Sequence, residues 1–267
     1  MNEGKGLVVP QFCRVEREGP LTIVTLDRPE VLNALHPPAH TELAEVFDVF
    51  AEDRDQWVAI ITGSGGRAFS AGDDLKYRAA GGAMSIPDSG FGGIARRFDL
   101  DKPLIAAVNG IAMGGGFEIA LACDIIIAAE TAVFALPEPR VGLAALAGGL
   151  HRLPREIGVK QALGMILTGR RVSARDGLAL GFVNEVVPAG DVLQAARRWA
   201  AQILELSPMS VRASKQAVYR GLAEASVREA LANQGEYPAV AAMFRSDDFA
   251  EGPRAFAEKR PPHWRGR

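Results

Sequence analysis

Hydrophobic positions recur along the chain with two different periods. Residues 12–26, FCRVEREGPLTIVTL, alternate apolar and polar around a Gly-Pro pair, which predicts two short strands joined by a turn. Residues 39–53 change to a helical period, with Leu43, Val46, Phe47 and Phe50 on one face. VAIITG (58–63) is a β-branched run closed by glycine, the pattern of a buried strand. PLIAAVNG (103–110), DIIIAAE (124–130) and AVFALPE (132–138) predict three more strands, and an apolar helix is expected behind Gly114 to Gly116. Between them lie a poorly patterned glycine-rich stretch at 80–93 and a short predicted helix near 94–99. From about residue 190 the strand pattern stops; helices are expected at 191–204, 208–221 and 225–244, followed by a charged tail.

Strands alternating with helices predict an α/β architecture of repeated ββα-like turns rather than a sandwich or a bundle. The change near 190 divides the chain into a core at 1–195 and a C-terminal helical region at 196–267 whose helices pack on the core or on another subunit. No fixed-period repeat supports a regular solenoid.

Composition narrows the function classes. The 267 residues are 48% hydrophobic, enough for a sizeable core. Thirty Lys and Arg against 32 Asp and Glu leave a net charge of −2, so no basic field invites nucleic acid or an anionic membrane. The apolar runs fall far short of a membrane span, and MNEGKGLVVP lacks the pattern of a secretory signal. Two cysteines, Cys13 and Cys123, without a spacing motif, suggest a reducing, cytoplasmic setting and neither disulfide nor zinc framework. His36 and His40 stand four apart in HPPAH, but the two prolines argue against the helical geometry that would aim both rings at a metal. His151 reads as a helix-surface residue.

Two glycine-bearing loops carry the candidate chemistry. Gly114 to Gly116 precede a helix, and Ala71-Gly72-Asp73 precede a turn that Asp74 could cap; at such places backbone N–H groups can approach a ligand closely. Neither loop ends in the Gly-Lys-Ser/Thr of a P-loop, Ile119 stands where a dinucleotide fingerprint needs glycine, and Ser70 in AFSAG does not complete a nucleophile elbow. Glu118 sits in the first turn behind the glycines, and Glu138 lies between Pro137 and Pro139. Each carboxylate alone could be an ordinary surface charge. Two of them beside two backbone-donor loops are equipment for proton transfer next to a polarised carbonyl.

Over nearly its whole length the chain resembles the crotonase superfamily, the enoyl-CoA hydratases and isomerases. The resemblance rests on LDRPEVLNAL (26–35), AFSAGDDLK (68–76), NGIAMGGGFEIALACDIIIAAETAVFALPEPRVGL (109–143), AGGLHRLPREIG (147–158), LTGRRVSARDGLALGFVNEVVP (167–188) and AFAEKRPP (255–262). It implies a spiral of ββα units, a C-terminal helical region for oligomerisation as trimers or paired trimers, and an acyl-CoA substrate with no further cofactor. The backbone amides of Asp73 and Gly115 would hold the thioester oxygen, and Glu118 and Glu138 would be base and acid in reversible syn addition of water to a 2-enoyl thioester. Glu30, Val31, Leu32, Ala71, Asp74, Leu75 and Gly114 match positions that line the CoA and substrate site, and Phe256 and Lys259 match tail positions that close it from an adjacent subunit. Asp73 departs from the small residue usual there, so its carboxylate must point away from the enolate. Ala145-Leu146 replace a Pro-Gly pair, and Leu146 would reshape the acyl pocket. GGGFEIALACD and FALPEPRVGL also resemble the carnitinyl-CoA dehydratase branch. Isomerisation, retro-aldol cleavage and a non-catalytic, RNA-binding use of the scaffold are the competing readings, because fold does not fix function.

Overall fold

The computed structural model describes residues 10–83 and 85–267. The N-terminal segment weighed above as a signal lies mostly outside the described residues. Ten strands and eleven α-helices follow one another through the described chain.

The predicted hairpin forms as β1 (Cys13–Glu18) and β2 (Leu21–Leu26), and the helix that follows is α1 (Pro37–Glu52). Three strand pairs come next: β3 (Val58–Gly63) with β4 (Ala68–Ser70) and a short helix α2 (Leu75–Ala79); β5 (Leu104–Val108) with β6 (Ile111–Met113) and α3 (Gly115–Ala122); and β7 (Ile125–Ala129) with β8 (Val133–Ala135). In each pair the first strand joins one sheet and the second joins another. The larger sheet runs β1-β2-β3-β5-β7-β10, where β10 is Glu185–Val187, and the smaller runs β4-β6-β8-β9, where β9 is Val172–Ser173. Apart from β1 and β9, which pair antiparallel, neighbours are parallel. This is the expected spiral: each turn adds one strand to each sheet, and parallel strands buried on both faces explain the continuous apolar runs VAIITG and LIAAV.

Side-chain amides lock the turns between the sheets. Asn109 donates through Nδ2 to Gly63 O (2.9 Å) and accepts from Gly63 N (3.2 Å), while Asn33 Nδ2 donates to Ser64 O (3.1 Å) and Ala68 O (2.9 Å). The chain then enters α4 (Gly149–Ile157), α5 (Val159–Thr168), α6 (Ala174–Leu180) and α7 (Val192–Leu204).

The last helices are α8 (Pro208–Gly221), α9 (Val227–Asn233), α10 (Pro238–Phe244) and α11 (Asp247–Glu258). The main core continues into α7 as far as Ala200, and a separate small cluster of Ala213, Tyr237 and Val240 belongs to the later helices. The division expected after residue 195 therefore falls inside α7. Lys215 of α8 ties the two regions, donating to Asp124 Oδ2 (2.7 Å) and Lys102 O (2.9 Å), and Tyr219 donates to Asp124 Oδ1 (3.1 Å).

Three sequence expectations need correction. The segment 94–99 forms turns, preceded by a single 3-10 turn at Phe91–Gly93 held by positive-φ glycines. The helix expected over 225–244 is two helices, because Pro238 has no N–H to continue the ladder and instead opens α10. The prolines of HPPAH do not disturb a helix. Pro37 and Pro38 occupy the first positions of α1, where the missing N–H costs nothing, and His36 is its N-cap.

Candidate active site

The C-terminal ends of three adjacent parallel strands in the smaller sheet converge on one place. β4 runs into Ala71-Gly72-Asp73, β6 into Gly114-Gly115, and β8 into Leu136-Pro137-Glu138, so the sheet register places both glycine loops and one glutamate side by side. Ligand sites at the carboxyl ends of parallel strands are the general rule for α/β sheets.

The two loops touch through their backbones. Gly72 has φ +89°, and a Cβ there would meet Gly115 N at 2.8 Å and Met113 O at 2.6 Å; a Cβ on Gly116 would strike the Ser70 carbonyl. Only glycine permits this approach. Gly114 N donates to Ala135 O (2.9 Å), which ties the second loop to β8. Among the described residues the amides of Asp73 and Gly115 have no protein acceptor. Two adjacent free N–H groups, one of them on the first residue of α3, form a ready site for an oxygen that gains negative charge.

A third loop supports the first. Ala71 N donates to Leu32 O (2.9 Å), Leu35 N to Gly72 O (2.7 Å), Asp74 N to Leu35 O (2.9 Å) and Ser70 Oγ to Asn33 O (2.8 Å). Leu32 and Asn33 adopt left-handed φ values of 57° and 55°, which turn the chain back onto the donor loop. Leu32 thus stands next to Ala71 and Leu35 next to Asp74; Glu30 and Val31 lie in the 3-10 turn just before Leu32, and Glu30 and Leu75 are exposed. Asp74 caps α2 by accepting from Tyr77 N (3.1 Å) and pairs with Arg28 (3.0 Å), which holds its carboxyl below the usual range. Burial raises Asp73, and its carboxylate turns to Arg78 (3.5 Å), an ion pair that opposes that rise.

Both glutamates adjoin the second loop: Glu118 N donates to Gly114 O (3.0 Å), and the Glu138 carboxylate lies against Gly114. Glu118 is 3% exposed in an otherwise apolar stretch of α3, and its Oε1 accepts from Gly149 N (2.9 Å) at the start of α4. Burial pushes its pKa up to about 7; the nearby Glu138 adds to the rise, while amides of Gly149 and Ala147 oppose it. Glu138 opens a 3-10 turn at Glu138–Val141 and lies against Gly114, where an added Cβ would meet its Oε1 at 2.9 Å. Burial raises Glu138 as well, and its Oε2 has no partner among the described residues. Burial of each carboxyl, and for Glu118 the neighbouring carboxylate as well, thus favours the protonated form more than in an exposed acid.

Two neighbours of the site carried no sequence signal. Phe91 lies over Gly115, where an added Cβ would strike its ring. His40 is fully buried; its Nδ1 accepts from Gly92 N (3.1 Å) and its ring meets Phe91 edge-on, so that nitrogen is already occupied. Leu146 is 73% exposed, one residue from Ala147 beside Glu118. Phe256, 87% exposed, and Lys259 lie at the end of α11, which packs on α8 and α10.

Comparison with known proteins decides the family. The family model for enoyl-CoA hydratase/isomerase matches residues 16–267. The chain belongs to the enoyl-CoA hydratase/isomerase family. Among its relatives, a carnitinyl-CoA dehydratase of Salmonella typhi is 44% identical over 261 residues, covering 96% of this chain and 99% of the relative. An enoyl-CoA hydratase from Mycobacterium marinum superposes with a TM-score of 0.89 at 39% identity, covering 96% of this chain and 99% of that one. A carnitinyl-CoA hydratase from Mycobacterium avium gives 0.77 at 41% identity, covering 97% and 100%. For a member of the enoyl-CoA hydratase/isomerase family, the geometry above supplies donor amides and a carboxylate pair in one place.

Proposed function

We propose that this protein is a hydro-lyase that adds water reversibly to a 2-enoyl-CoA thioester. The observation that carries this reading is the placement of two glutamates, the buried Glu118 and the half-buried Glu138, next to Gly114-Gly115, whose Gly115 amide, like that of Asp73, has no acceptor among the described residues. The thioester oxygen sits on the Asp73 and Gly115 amides. Glu118 takes a proton from water as its oxygen bonds to C3; the C2=C3 electron pair moves towards the thioester oxygen, and Glu138 delivers a proton to C2. Water then replaces the proton lost by Glu138 with the one gained by Glu118, so atoms and charge balance. Isomerisation needs one acid/base group, whereas this site holds two. Glu30 to Leu32, Ala71, Asp74 and Leu75 receive the CoA portion; coenzyme A is part of the substrate and no other cofactor is required.

A second reading has its own support: 44% identity to a carnitinyl-CoA dehydratase favours a substituted acyl group processed in the dehydration direction. Leu146, where relatives commonly carry glycine, would reshape the acyl side. Assembly as a trimer or a dimer of trimers, with Phe256 and Lys259 reaching a neighbour's site, and a cytoplasmic setting complete the reading; two buried free thiols support the latter.

The test is a panel of straight, branched and trimethylammonium-bearing 2-enoyl-CoA thioesters, followed by loss of the conjugated chromophore and by product mass. Glu118→Gln and Glu138→Gln are each expected to lower kcat by about 10² to 10⁴. Unchanged turnover in both variants, or no turnover of any thioester by the wild type, overturns the reading.

A further inference from the structure

Arg152 follows Gly148 by one turn of α4, and its guanidinium folds back over that glycine, where an added Cβ would strike Nη1. Gly148, at φ +117°, precedes the Gly149 amide that Glu118 accepts at 2.9 Å. On its other side Arg152 Nη2 donates to Ala95 O (2.9 Å), and the guanidinium lies 5.7 Å from the Phe98 ring centroid. Ala95 N in turn donates to Phe91 O, in the segment that covers Gly115. One cationic side chain therefore touches both the seat of Glu118 and the wall over the donor amide.

We propose that Arg152 is a positioning residue that sets its positive charge against the Gly148-Gly149 seat of Glu118 and fastens α4 to the Phe91 segment. The proposal rests on the reading of Glu118 as the base. The groups facing Glu118 are Glu138 from the turn after β8, Arg152 and the Gly149 amide from α4, and the Ala147 amide from the loop before it. Of these charges only Arg152 is opposite in sign. Arg152 itself is faced by Glu118, Glu156, Tyr219 and Cys123, and it stays charged despite burial because a guanidinium does not deprotonate in proteins. A carboxylate next to another carboxylate in an apolar site loses its proton at neutral pH only if a cation or donors offset the repulsion.

The test compares Arg152→Met and Arg152→Lys with wild type in two ways: the acid limb of kcat/KM against pH, and an infrared titration of the carboxyl band that is absent in Glu118→Gln. Removing the cation disfavours the carboxylate, so in Arg152→Met both readings move to higher pH, by about 0.5 to 1 unit. Arg152→Lys keeps the charge but loses the planar fork to Ala95 O; its acid limb stays near the wild-type position while KM rises about threefold to tenfold. Wild-type titration in Arg152→Met, or equal shifts in both variants, overturns the proposal. Should Arg152→Met not fold, an acid limb displaced in Arg152→Lys does the same. Full turnover in Glu118→Gln instead removes the reading of Glu118 as base and is distinguishable from either result.

Discussion

Glu118 is held in its place by surroundings that resist its charge. Its pKa in the folded protein, about 7, exceeds the ordinary value of 4.5, so between those limits the native state binds more protons than the unfolded chain. Stability then falls as pH rises through this window, because ∂ΔG/∂pH is negative wherever the native state holds the extra proton. Glu118→Gln keeps an oxygen for the Gly149 amide and removes the titration. The variant should melt a few degrees above wild type at pH 8, with the gap closing towards pH 5. Thermal melts across pH 5 to 8 check this, and a gap that does not change with pH would show that Glu118 is not strained by ionisation. The same carboxylate needs deprotonation to act as base, so kcat/KM for hydration should fall below about pH 7, opposite in direction to the stability.

At the scale of elements, what positions the donors is the contact between glycine backbones and the ring of Phe91. Gly115→Ala puts a methyl group into that ring and shifts the amide away from the thioester oxygen; the expected loss in kcat is about 10². Adding Phe91→Ala makes room for the methyl group, so the double variant should recover part of the loss, a coupling that a double-mutant cycle of kcat/KM measures. Losses that simply add would place the fault elsewhere than in this contact. The glycine loops and both glutamates were legible in the sequence because each is a local departure: glycine before a helix, charge in an apolar run. The long strands were legible too, as β-branched runs. Phe91 and His40 were not, since their roles depend on contacts between residues far apart in the chain, Phe91 with Gly115 and His40 with Gly92. β4, β6 and β9, at two or three residues each, are too short for a period to show; β4 and β6 each follow directly on a strand of the larger sheet, whereas β9 arrives after α5 to pair with β8. Pro238 was visible, but a long apolar period masked the break it makes.

At the scale of the whole molecule, several large apolar side chains of the C-terminal helices are exposed. Leu222, Val227 and Leu231 are 75%, 76% and 62% exposed, with Phe244 and Phe249 about half exposed on the neighbouring helices. Exposed apolar side chains, where they form a patch, mark a place for another chain, and the small cluster around Ala213, Tyr237 and Val240 gives these helices little core of their own; the trimer or paired trimer proposed above would bury them. Light scattering should give a mass of three or six times 28.4 kDa. Leu222→Glu with Leu231→Glu should shift the mass towards one chain and lower the melting temperature, because two charges would replace buried leucines. If Phe256 and Lys259 reach a neighbour's site, the dissociated variant should also show a raised KM for the CoA thioester while Glu118 and Glu138, held within one chain, retain their pH dependence. A protein that stays at a single-chain mass at all concentrations, with Lys259→Ala leaving KM unchanged, would confine the whole site to one subunit.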